Sequence, residues 1–335
     1  MSAVTLKMIA NQLSLSVATV SKALADSHEI SKATKIMVTD AANSLGYVAN
    51  PYASSLRKRR SKTIAVVIPE IADSFFAKAI NGIEEVALNF GYHVLIYLTH
   101  ESFLREQAIM QDFKSGRVDG ILMSVSEETD DVDHIKTVMD NNIPVVFFDR
   151  VCEELATTCV VTDDFESSFN ATNHLISKSC SNVVFIGNSV NLSINRNRVN
   201  GYTKALQDAG KEDLTQVIIC GKDQEKNYEL LFNLFNGTSK PDGVILSVEK
   251  LTSLLYQVCA DLKLLIPEQV KVLTFTNFNM AQFMSPSLTT VNQPAFEIGK
   301  AAAVALFKKL ARSTSIFESE LIVLPSEMIL RQSTN

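Results

Sequence analysis

The sequence predicts an α/β protein in two parts, a small all-α head and a larger body built on two parallel α/β sheets. Three observations carry this expectation. Residues 1–48 place apolar side chains at helical spacing and contain no β-type run. From residue 63 onward, short and nearly all-apolar runs alternate with amphipathic segments, the pattern of strands covered on both faces by crossover helices. The alternation occurs in two series that meet near residue 160, so the body is expected to have two lobes.

The 335 residues are ample for two or three domains. No stretch approaches the roughly 20 uninterrupted apolar residues of a membrane span. Residues 1–10 lack a secretory signal, which points to a cytoplasmic protein without a membrane partner. The chain holds 31 Lys+Arg against 37 Asp+Glu, but the charge is unevenly placed. Residues 1–62 carry nine basic and three acidic side chains, a net +6, which leaves −12 on the remaining 273. A basic head on an acidic body points to nucleic acid as a partner of the head alone. Cysteines 152, 159, 180, 220 and 259 form no C-x-x-C pair and have no His at zinc-ligand spacing, so free buried thiols are expected and no metal.

In the head, Thr5 is placed to cap a short helix with Leu6, Ile9, Ala10 and Leu13 at helical spacing. Ser14-Leu15-Ser16 interrupts it, and Ser16 caps a second helix carrying Val17, Val20, Ala23 and Leu24. Two short helices joined by a tight turn make a helix-turn-helix, whose second helix enters the major groove of DNA. Ser16, Thr19 and Ser21 offer hydroxyls to phosphate oxygens, Val17 and Ala18 suit a thymine methyl, and Lys22 suits guanine acceptors. A third helix is expected over 31–45, burying Ile36, Val38, Ala41, Ala42 and Leu45, with Gly46 as the left-handed residue beyond its end.

Asn50 and Pro51 then start a helix too short to be stable alone, followed by Arg57-Lys58-Arg59-Arg60. This reads as a hinge that orders on DNA, with Leu56 available to wedge into a minor-groove step. Taken singly, these patterns also fit a solvated helical hairpin and a basic linker; their order along the chain favours DNA.

In the body, strands are expected at 63–68, 93–98, 120–125 and 145–148, with helices at 75–90, 103–114 and 134–141. The second series gives strands at 183–186, 216–220, 243–247 and 270–275, and helices at 201–209, 228–235 and 251–264. A strand (288–291), a helix (296–310) and two strands (320–324, 327–331) complete either lobe. Parallel sheets bind ligands beyond the carboxyl ends of their strands, which makes the cleft between the lobes the expected site. Candidates there are Asp73, Phe75 and Phe76, then Asp149 and Arg150, Asp163-Asp164 at the lobe boundary, Arg198, Thr276 and Asn277. Phe75-Phe76 also fits a core, Asp149-Arg150 an ion pair, and Arg198 a cap on the lobe interface. There is no G-x-x-x-x-G-K-[S/T] loop and no G-x-S-x-G elbow, and no histidine pairs with a nucleophile motif, so no catalytic residue and no cofactor are expected.

Val4-Thr5-Leu6, Ile9-Ala10, the run 17–22 (VATVSK), Leu45-Gly46-Tyr47 and Asn50-Pro51-x-Ala53-x-x-Leu56 closely resemble the headpiece of the lac and galactose repressor family. The resemblance covers essentially the whole chain. It implies a helix-turn-helix head (1–48), a hinge helix and linker (49–62), and a periplasmic-binding-protein-like body. In that body, 63–160 with 288–335 form one lobe and 161–287 the other. It adds Thr5, Ser31, Tyr47, Asn50, Ala53 and Arg57 to the DNA-binding set and implies paired hinge helices that prise open a base step with Leu56. Asp149, Arg198 and the Thr276/Asn277 position match family residues that contact effector hydroxyls.

The implied protein is a ligand-responsive regulator, most often a repressor. It binds double-stranded palindromic operator DNA as a homodimer and takes a carbohydrate effector; the alternative is a nucleobase or sugar phosphate acting as co-repressor. A coiled-coil tetramerisation tail is expected to be absent. Four places depart from the family pattern: Ser14-Leu15 for Gly-Val, Lys22 for Arg, Thr276-Asn277 for Asp-Asp, and Val248-Glu249 for Asn-Asp or Ser-Asp.

Overall fold

The structure of the protein, a computed structural model, describes residues 4–47, 61–72, 74–189, 191–311 and 319–335. The expected hinge residues Asn50, Ala53, Leu56 and Arg57, and the cleft candidate Asp73, lie outside the described residues. Two compact units are present, 1–59 and 60–335.

The head unit packs α1 (Leu6–Gln12), α2 (Val17–Leu24) and α3 (Lys32–Ser44) around Ile9, Ala10, Val20, Ala23, Val38, Ala41 and Ala42. Each helix ends the same way. The residue beyond the C-cap turns left-handed, at Ser14 (φ 52°), Asp26 (φ 53°) and Gly46 (φ 66°). The next amide then reaches back five residues, Leu15 to Ala10, Ser27 to Lys22 and Tyr47 to Ala42. Ser14 therefore carries the strain that a glycine would avoid in this tight turn. Ile36 differs from expectation: it is 56% exposed, because the buried stripe Val38-Ala41-Ala42-Leu45 runs at helical spacing and leaves Ile36 on the opposite side.

The body begins with β1 (Thr63–Ile68), α4 (Ser74–Asn89), β2 (His93–Leu98), α5 (Phe103–Phe113), β3 (Gly120–Met123), α6 (Asp133–Asp140), β4 (Val145–Phe148) and β5 (Cys159–Thr162). It continues with α7 (Asp164–Ser177), β6 (Val183–Gly187), α8 (Ser193–Asp208), β7 (Gln216–Ile219), α9 (Gln224–Asn236), β8 (Gly243–Leu246), α10 (Lys250–Asp261) and β9 (Lys271–Phe275). The last elements are β10 (Thr289–Asn292), α11 (Ala295–Ala311), β11 (Leu321–Leu324) and β12 (Glu327–Ile329).

They form two six-stranded sheets, ordered β11-β5-β4-β3-β1-β2 and β12-β10-β9-β8-β6-β7. All pairings are parallel except β12 against β10. β1, β3, β4, β6 and β8 are buried almost throughout, as strands covered on both faces must be.

Segment 288–335 does not belong to one lobe as expected. β10 and β12 extend the second sheet, whereas α11 packs on α4 and β11 pairs with β5 in the first. The chain thus crosses between lobes three times, at 162–164, 292–295 and 324–327. The crossings are tied to one another. The Ser326 amide donates to Asp163 Oδ1 (2.8 Å), and Gln293 Nε2 donates to Thr162 Oγ1 (3.3 Å).

Both lobes use glycine to bring two helices into contact. A Cβ on Gly299 of α11 would lie 2.0 Å from Ala79 O on α4, and one on Gly201 of α8 would lie 2.2 Å from Phe165 O on α7. No larger residue fits without moving a helix.

Candidate functional sites in the head and the cleft

On the head, Ser16 caps α2 by accepting from the Thr19 amide at 3.0 Å, and its hydroxyl pairs with Thr19 Oγ1 at 2.8 Å. This fixes the helix start that holds Val17 and Ala18, both exposed. Val17 is an unpacked branched side chain at the position where a helix-turn-helix meets base edges. Ser31 caps α3 through the Thr34 amide (3.2 Å) and is exposed; Thr5 occupies the N-cap position of α1 without a side-chain bond. Tyr47 is partly buried against the head core. Ser21 differs from its neighbours: it is buried on the inner side of α2. It shares that side with Val20, Ala23 and Leu24, and its hydroxyl is not presented beside those of Ser16 and Thr19.

Lys22 is exposed on α2, but its ammonium is paired with the Glu29 carboxylate in the α2–α3 loop. Lys35 is likewise paired with Asp26 Oδ1 (2.6 Å), which holds the Asp26 carboxyl below the usual carboxylate range.

In the body, the predicted side chains converge between the lobes at the carboxyl ends of β1, β4, β8 and β9. Phe75, Phe76, Asp149, Arg150, Arg198, Thr276 and Asn277 line one narrow space, together with Ser247, Glu249 and Gln293. Asp164 meets it through Arg198.

Arg198 is the most deeply committed group. It sits in the first half of α8, because that helix starts at Ser193, eight residues ahead of the expected 201. Its Nε donates to Asp164 Oδ1 (2.7 Å), its Nη1 donates to Ser247 O (2.5 Å), and its guanidinium lies 4.1 Å from the Phe275 ring centre. The residue is 2% exposed, and its Nη2 has no protein partner. Burial raises the Asp164 carboxyl above its ordinary pKa, and the Arg198 charge opposes that rise.

Arg150 is a structural ion-pair member. Its Nη1 donates to both Glu101 carboxylate oxygens at 2.9 Å, its Nε is 3.8 Å from Asp149 Oδ2, and it rests 5.8 Å from the Phe76 ring centre. Asp149 itself is buried in a left-handed conformation (φ 62°), which aims the strand end into the cleft. Phe75 and Phe76 belong to the first lobe's core and meet edge to face at 5.4 Å, so they wall the cleft from a fixed position. Asn277 braces a crossing: its Nδ2 donates to Gln293 O (2.6 Å).

Glu249, Ser74, Ser247, Gln293 and Glu101 were not among the predicted site residues. Glu249 is the informative one. It precedes α10 and accepts at Oε2 from Thr276 Oγ1 (2.5 Å) and from the Ser74 hydroxyl at the start of α4 in the other lobe. Other bonds also cross the cleft: Lys78 Nζ to Asn277 O (2.8 Å), Lys222 to Glu128, and Arg196 Nη2 to Glu153 Oε2 (3.2 Å). The space left around Glu249 is only about 30 Å³. Beside it opens a chamber of about 510 Å³ that shares Asp149 and Ile194 with the narrow part and is also lined by Asp164, Ser193 and Asn197.

A three-helix head with a helix-turn-helix, followed by a two-lobed body with a polar cleft, is the architecture of DNA-binding transcriptional regulators that carry a sugar-binding domain. Residues 5–50 match the family described as bacterial regulatory proteins, lacI family, and residues 61–325 match that of periplasmic binding proteins and sugar binding domain of LacI family. The chain belongs to the LacI family of transcriptional regulators and is not an enzyme.

Among its relatives are the transcriptional repressor CytR of Escherichia coli K12, 29% identical over 99% of this chain and 96% of that one, and catabolite control protein A of Priestia megaterium, 26% identical over 99% of each. The fold is that of the lac repressor dimer bound to operator and the anti-inducer ONPF, with a TM-score of 0.84 over 99% of each chain at 17% identity. No described helix is long and apolar enough to cross a membrane.

Proposed function

We propose that the protein is a repressor that binds a two-fold symmetric operator as a homodimer and whose DNA affinity is set by a small molecule in the inter-lobe cleft. The observation that carries the DNA reading is the capped, solvent-facing start of α2, with Val17, Ala18 and Lys22 exposed and unsupported by the head's own core. One such helix reads only a half-site, so a symmetric pair of heads is needed for an operator.

Dimer formation is supported by apolar surface on the body. β2 is an edge strand that leaves Leu95 and Ile96 exposed, α4 leaves Leu88 exposed, and the second lobe exposes Phe278, Met280 and Phe283.

The effector is read as a carbohydrate or related small molecule. The 510 Å³ chamber is of the size that holds such a ligand, and relatives of the same fold are known in complex with cellobiose and with ribose. Binding shifts DNA affinity only through its different affinity for the DNA-competent and incompetent states. Selection of duplexes from a random-sequence pool tests the reading: enrichment of palindromic sites supports it, and recovery of sequences without two-fold symmetry contradicts it.

A further inference from the structure

The cleft of this chain is closed by its own residues at the point where Arg198 waits. Glu249 lies at the end of β8, where its carboxylate bridges Thr276 in its own lobe and Ser74 in the other. Ser74 is the first residue of α4, a 16-residue helix, so the Glu249 carboxylate also sits at the positive end of that helix's dipole. Behind this bridge the Arg198 Nη2 is buried without a protein partner, and so is Ser247 Oγ. The two unmet groups and the bridge share one narrow space. The wide chamber reaches Asp149 and Asp164, whereas Arg198 borders only the narrow part.

We propose that Glu249 is the specificity-determining residue of this cleft: it latches the two lobes together through Ser74, and an effector reaches Arg198 by putting a neutral donor of its own in Ser74's place. The assignment rests on the reading of the cleft as the effector site. The effector then carries a hydroxyl or N–H group toward Glu249 and an acceptor toward Arg198 Nη2, as a polyol or a nucleoside does. A phosphorylated ligand is rejected. Its charge would face the Glu249 carboxylate, and the two arginines lining the space are already held by carboxylates, Arg150 by Glu101 and Arg198 by Asp164.

Hydrogen exchange of the ligand-free, full-length protein tests the latch without knowledge of the effector. In Ser74→Ala and in Glu249→Ala, amides at 75–78 and 249–253 are expected to exchange roughly five- to tenfold faster, the factor that losing about one hydrogen bond gives. Amides of β1 and β3 stay unchanged. Wild-type exchange rates at both segments in both variants would overturn the latch, and so would acceleration that extends equally through β1 and β3. Thermal shift with ribose 5-phosphate and with glucose 6-phosphate tests the selection: neither stabilises the wild type, and stabilisation by either one overturns it. No ligand enters the exchange measurement, so failure of the latch is seen separately from failure of the reading of the cleft as the effector site.

Discussion

The ion pairs of the head and those of the cleft are built for opposite purposes. In the head, Lys22–Glu29 has both side chains about half exposed, and Lys35 is paired with an Asp26 that is 90% exposed. Pairs between exposed side chains are weak and exchange partners readily, so a DNA phosphate or a guanine edge can take Lys22. In the cleft, Arg198–Asp164 is 2% and 3% exposed, and Arg150–Glu101 is nearly as enclosed. Charges held this way are costly to separate and serve as fixed walls. The head keeps its charge negotiable, whereas the cleft locks the charge at its centre and leaves only the pairs Lys222–Glu128 and Arg196–Glu153 exposed among the described pairs that cross it. A net charge of −6 hides this division completely.

The largest expected effect breaks the locked side. Arg198→Ala leaves the Asp164 carboxylate buried and unpaired, and should cost about 3–5 kcal/mol of folding stability in urea denaturation. Its pH dependence has a definite sign. Burial already raises the Asp164 pKa in the folded protein, so the fold favours the neutral acid. Stability from such a group is present below the unfolded carboxylate pKa of about 3.9 and is lost as pH rises through the folded value. Without Arg198 only the hydrogen bond from Thr162 offsets that loss, and the gap between wild type and variant should be wider at pH 7.5 than at pH 5.

The next effect tests the scaffold common to both lobes. Gly299→Ala and Gly201→Ala each drive a methyl into a helix backbone carbonyl at 2.0 and 2.2 Å. Each should lower stability by about 1–3 kcal/mol, read as a reduced urea midpoint.

On the negotiable side, Lys22→Ala should weaken binding to the selected duplex by about 1–3 kcal/mol while the urea midpoint stays within error. Glu29→Gln is the smallest change. It frees Lys22 and removes a negative charge, so non-specific DNA affinity should rise by no more than about 1 kcal/mol. If Glu29→Gln instead lowers affinity for the selected site with the head intact, the pair positions Lys22 and does not merely occupy it.

Much of this architecture was legible because its signals are local. The strands at 63–68, 93–98 and 145–148 lie where their apolar runs place them, and Ser16, Ser31 and Gly46 mark the helix ends they were expected to mark. β5 and α7 were not legible. β5 is four residues long and half Cys and Thr, and α7 dilutes its apolar positions with Ser, Asn and Thr. The split of 288–335 between lobes is a long-range pairing that no local pattern encodes.

The site followed the same rule. Asp149, Arg198 and Thr276 were visible as polar residues at strand ends or beside a helix, but Glu249 gains its role from Ser74, 175 positions away. Its departure from the family pattern was the one available signal. Ile36 and Ser21 were misjudged by neighbours, since one position on a helix turns a side chain by about 100°.

The most direct test of the division between negotiable and locked charge is a fluorescence-anisotropy titration of the full-length protein across a salt series, using the selected palindromic duplex and a scrambled control. The account predicts tighter binding to the palindrome and a log affinity that falls steeply with log salt, by about 0.9 for each phosphate neutralised. Equal affinity for the two duplexes, or an affinity indifferent to salt, would contradict it.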